Sequence, residues 1–165
     1  RNIKQIARSC SLDISETSRI KDMLGLLSLY FDKPLILINS HLDKQTKQMV
    51  CGYALGHYLE HQLLMDLHTL NKFLTIKDKH ILLYEHNAFT SHLMLDSDEV
   101  YQMTKRGLDA AQISAAKRIH LNLVLVKLLE LHHLGYDLRH YHAQHHAFIN
   151  QFNLPAHFQF DVAAG

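Results

Sequence analysis

Apolar positions along this chain switch between helical and extended spacing, and the switches define the elements. Residues 1–31 carry apolar side chains at mixed helical steps, and Ile20, Met23, Leu24, Leu27 and Tyr30 fall on one side of a helix expected over Ser18–Tyr30. Pro34-Leu-Ile-Leu-Ile-Asn39 is a short apolar run closed by Asn-Ser, which favours a buried strand. From Asp43 the helical period returns through Met49, Val50, Tyr53, Ala54, His57, His61, Leu64 and Met65. Residues 66–80 are less regular, with a strand expected at Phe73–Ile76.

Ile81–Met94 reads as helix again, with Leu82, Glu85, Phe89 and Leu93 on neighbouring faces. Asp96 followed by Glu99 has the spacing of a capping box, opening a helix that ends near Gly107, and Asp109 with Gln112 repeats the signal. Leu123–Leu134 is a strongly apolar helix closed by Gly135. A last amphipathic helix is expected over Asp137–Phe152. Neither an internal repeat nor a low-complexity linker is visible. The sum predicts an α+β fold, mainly helical, with a small sheet and additional C-terminal helices. It divides into a principal domain over 1–135 and a His-rich C-terminal helix and tail over 136–165.

Composition narrows the function classes. The chain has 165 residues, 47% hydrophobic and 20% charged, which excludes disorder as its main state. With 17 basic and 16 acidic residues the net charge is +1, which gives no broad electrostatic pull towards nucleic acid or anionic membrane. No apolar run approaches the ~18 residues of a membrane span. Cys10 and Cys51 lie far apart without metal or redox spacing, so a reduced, cytoplasmic protein is expected. The 15 histidines are the outlier, so mild acid should matter.

The candidate chemistry lies in Met49–His61. A zinc-peptidase helix sets two His four residues apart on one face, with a Glu beside the first as general base. Tyr53 and His57 hold that spacing here, and Ala54 stands at the Glu position. A phenol is a poor substitute for imidazole on zinc, and a methyl group takes no proton.

Three separated patterns together resemble the ImmA/IrrE metallopeptidases. They are Leu35-Ile-Leu-Ile-Asn39, then Gly52-Tyr-Ala-Leu-Gly-His-Tyr-Leu-Glu-His61, where the family reads roughly AHELGHxxxH. The third is Glu85-His-Asn-Ala-Phe-Thr-Ser-His-Leu-Met94, where it reads roughly EANxFAxxLL. The fit covers about residues 18–135. The resemblance implies a zincin-like domain. It makes His57 the second zinc ligand and Glu85 the downstream one, with Tyr53 at the degenerate first-ligand position and the catalytic Glu lost at Ala54. Asn87, Phe89, Leu93 and Met94 match packing positions of the later helix. It further implies zinc held weakly or not at all, and a regulatory partner: a helix-turn-helix repressor or related regulator.

Each residue also has a plain reading. Tyr53 suits a core position, His57 an interior histidine and Glu85 a solvated helix. Cys51 reads as a small core residue. Gly52 and Gly56, one turn apart, cost helix stability and suggest that another backbone packs closely there. An alternative overlaps the first site: His57-Tyr-Leu-Glu-His61 is HxxEH, an inverted pattern in which His57, His61 and Glu85 would be ligands and Glu60 the base. His140, His142, His145, His146 and His157 form a wet, histidine-rich tail. Asp109–Leu134 has helix-turn-helix spacing, but its second helix has almost no side chains that read base edges, which argues against direct DNA binding.

Overall fold

The computed structural model describes residues 2–31, 33–60, 68–70 and 81–138. Four strands form one mixed sheet: β1 (Asp13–Thr17), β2 (Gly25–Tyr30), β3 (Lys33–Asn39) and β4 (His68–Leu70), in the order β1-β3-β2-β4. The apolar run at 34–39 is the strand its pattern predicts, with Ile36 and Ile38 fully buried on one face. β3 is central: β1 pairs with it in parallel, Asp13 opposite Leu35 and Thr17 opposite Asn39, and β2 pairs antiparallel, Leu27 opposite Ile36.

The helix expected over Ser18–Tyr30 does not form. Its second half is β2, and β1 occupies a stretch whose apolar spacing suggested helix. The reason is tertiary. A central strand buried on its inner face needs hydrogen-bonding partners on both edges, and β1 and β2 supply them. Asn39 then fixes the chain ahead of β2: its Nδ2 donates to the Ile20 and Met23 carbonyls, both at 2.9 Å, and its backbone N–H to the Leu24 carbonyl at 2.9 Å. Between β2 and β3, Phe31 turns the chain at φ +48°, the left-handed region that tight hairpins use.

Six helices are described: α1 (Ile3–Ser9), α2 (Lys44–Glu60), α3 (Ile81–Met94), α4 (Ser97–Lys105), α5 (Ala110–Lys117) and α6 (Leu121–His133). α2 packs on β2 and β3, on α1 and on α3, and α3 packs in turn on α6, which α4 and α5 flank. Being covered on several sides, α2 has every residue from Met49 to Gly56 buried. The predicted caps are present: Asp96 accepts from Glu99 N at 3.0 Å, and Asp109 and Gln112 form a reciprocal box. Leu123–Leu129 of α6 are all buried, which places the second helix of the helix-turn-helix-like spacing in the core.

Polar groups tie the layers together. Lys127, only 1% exposed within α6, donates to His92 Nδ1 at 2.7 Å and to Ser97 Oγ at 2.8 Å. His92 Nε2 lies 3.3 Å from Glu130, which also accepts from the Tyr84 hydroxyl. On the other side, Glu16 of β1 bridges Lys4 of α1 (2.6 Å) and Lys47 of α2 (2.9 Å), and these two hydrogen-bonded ammonium groups hold its carboxyl down at about 2. The segment after α6 returns to the core, where Leu138 is 5% exposed and the Tyr136 hydroxyl donates to Asp98. The strand expected at 73–76 and most of the helix expected over 137–152 lie outside the described residues.

Candidate metal centre

Asp43 starts the helix that carries the candidate site. Its Oδ1 accepts from the backbone N–H groups of Gln45 (2.9 Å) and Thr46 (3.0 Å), and its other oxygen accepts from the Thr46 hydroxyl. These bonds hold the Asp43 carboxyl below its ordinary range, the hydroxyl contributing most. From that anchored end α2 runs under α3.

The two glycines set how closely the helices approach. A Cβ on Gly52 would lie 2.3 Å from Thr90 Cγ2, and one on Gly56 would lie 2.9 Å from Phe89 Cδ1 and 3.5 Å from His86 Cδ2. A close neighbour is present, but the glycines meet side chains of α3 and not the backbone that their spacing suggests. The Thr90 and Ser91 hydroxyls bond back to their own helix, at the His86 and Ala88 carbonyls, and so need no partner on α2.

At this contact α2 presents Tyr53, His57 and Glu60, and α3 presents His86. The Tyr53 and His86 rings meet edge-on with centroids 4.9 Å apart, and the His57 and His86 rings do so at 5.1 Å. His86 is 2% exposed, and its Nε2 lies 2.7 Å from the Glu60 carboxylate. A carboxylate only accepts, so Nε2 carries the hydrogen. Ala54, fully buried, brings no polar atom.

Glu85 is exposed. The hydrogen bond and ring contacts come from His86, and Phe89, one turn after Glu85 on α3, also lies against α2 at Gly56. His86 is a contact residue that the sequence pattern did not single out. The signal was available: residues 86 and 90 lie one turn apart, matching the one-turn spacing of Gly52 and Gly56. His61 and the tail histidines 140, 142, 145, 146 and 157 lie outside the described residues.

Among the described residues, the donor set brought together does not fit a catalytic zinc. Such a site takes three protein ligands and keeps one position open. Among the described residues no three His, Cys, Asp or Glu side chains form a metal-binding group. Tyr53 would need to ionise to ligate well, yet burial first and the Glu60 charge second push its phenol up to about 12. Cys51 is fully buried, and desolvation raises its thiol to about 12, so it is no thiolate donor at neutral pH.

Two comparisons with known proteins bear on this arrangement. A peptidase-family model described as the IrrE N-terminal-like domain matches residues 15–129, which takes in most of the sheet, α2 to α5 and most of α6. No curated protein matches the chain.

Proposed function

The chain belongs to the IrrE N-terminal-like peptidase family, and from that premise we propose that it is a regulatory member without peptidase chemistry. In this reading it binds a helix-turn-helix repressor or a related regulator in the cytoplasm, in a phage or other mobile element, and relieves repression by holding that partner. Ligand exchange at Tyr53 and loss of the base at Ala54 carry the reading. In the metallopeptidase scheme a Glu beside the first ligand takes a proton from metal-bound water. Ala54 cannot do so, and loss of a general base costs about 10²–10⁴-fold in rate. A neutral Tyr53 phenol removes the Lewis-acid support as well, since it leaves two of the family's three ligand positions, His57 and Glu85. Protein recognition needs neither group. No described helix is long and apolar enough to cross a membrane.

The test is to mix the purified protein with the repressor encoded beside it, then follow complex formation by size exclusion and integrity by gel. A complex of intact proteins is expected, unchanged by chelator. Repressor fragments that vanish with Glu60→Gln would establish the inverted His57/His61/Glu85 site instead. Absence of any complex would leave only the fold of the family.

A further inference from the structure

We infer that His86 has taken over the structural part of a metal centre: it ties α3 to α2 without a metal. The inference rests on the reading that this site holds no zinc, and it adds what replaces the zinc there.

A metal with ligands on two helices fixes their separation and rotation through bonds to both. Here one side chain from α3 meets three from α2. His86 reaches Glu60 with a hydrogen bond of 2.7 Å, and its ring edges against Tyr53 at 4.9 Å and His57 at 5.1 Å. The three side chains on α2 span two turns, from residue 53 to residue 60, so together with His86 they resist both sliding and rotation of α3. His86 is 2% exposed, while the Glu60 side chain is 44% exposed. A hydrogen bond from a buried ring N–H also meets part of the desolvation cost of burying that group. The close approach at Gly52 and Gly56 brings His86 within reach.

Thermal unfolding of the full chain tests this, with His86→Ala, Glu60→Gln, the double variant and added zinc chloride or EDTA. The wild-type Tm is expected to be the same in zinc and in EDTA. His86→Ala should lower Tm by roughly 3–8 °C. Glu60→Gln should lower it less, because an amide oxygen can still accept from Nε2. The double variant should lose less than the sum of the singles, which a merely steric role for His86 would not produce. Where His86→Ala fails to fold, His86→Gln with and without Glu60→Gln reads the same coupling. Additive or negligible losses with a zinc-independent wild type would overturn the tie and leave the metal-free reading standing. A wild-type Tm raised by zinc, with the rise removed by His57→Ala or His86→Ala, would overturn both.

Discussion

Gly52 shows how much one missing methyl group decides. In an exposed helix Gly→Ala gains stability, roughly 1 kcal/mol. At Gly52 the added Cβ would sit 2.3 Å from Thr90 Cγ2, a distance real contacts do not reach. Either Thr90 leaves its rotamer and its bond to the His86 carbonyl, or α3 moves off α2. Gly52→Ala should therefore destabilise by about 1–3 kcal/mol despite its better propensity, the usual range for overpacking. Gly52→Ala combined with Thr90→Ser, which removes the offending methyl, should recover much of the loss. Urea unfolding midpoints measure both. A stabilised single variant would show that the helices stand further apart than described.

At the scale of an element, α6 begins on an unusual cap. His120 precedes the helix, and its Nδ1 accepts the Asn122 N–H at 3.2 Å. A protonated ring has no lone pair for that bond and sets a positive charge at the positive end of a helix. Burial holds the His120 imidazole below its ordinary range, and the Asp43 charge opposes this only in part. The sign of the pH effect follows. Between the folded and unfolded titrations the unfolded chain binds more protons, so stability rises with pH there. This contribution is complete above the unfolded value of about 6.5 and is lost as pH falls towards the lower folded value. The urea midpoint should be lower at pH 5 than at pH 7.5. His120→Asn, which caps well and does not titrate, should shrink that difference. An unchanged difference in the variant would place the acid sensitivity elsewhere.

For the whole molecule, the layering predicts where the fold opens last. α2 lies between the sheet and α3, and α6 is flanked by α3, α4 and α5. Residues 49–56 and 123–129 are buried throughout, whereas β1 sits at a sheet edge with no fully buried residue. Local opening follows burial. Hydrogen exchange should therefore be slowest in those two helix segments and faster by orders of magnitude in β1. Comparable protection in β1 would mean that its edge is covered by something else. The His92–Lys127 and Lys127–Ser97 bonds belong to this scale too, because they join three helices through one buried ammonium group.

The sequence alone determined the features that depend on near neighbours along the chain. The helical pattern from Asp43, the helices at 81–94 and 123–134, the cap residues Asp96 and Asp109 and the short apolar run of β3 were legible to within a few residues, because each is a local pattern that local physics reads. Three separated motifs carried the family. Only the tertiary structure decided that residues 25–30 form a strand, since the demand for hydrogen-bond partners comes from β3 and not from the segment's own spacing. It also decided which side chain of α3 reaches Glu60. Glu85 and His86 are adjacent in sequence, and the rotation of α3 that the close contact at Gly52 and Gly56 sets exposes the first and buries the second.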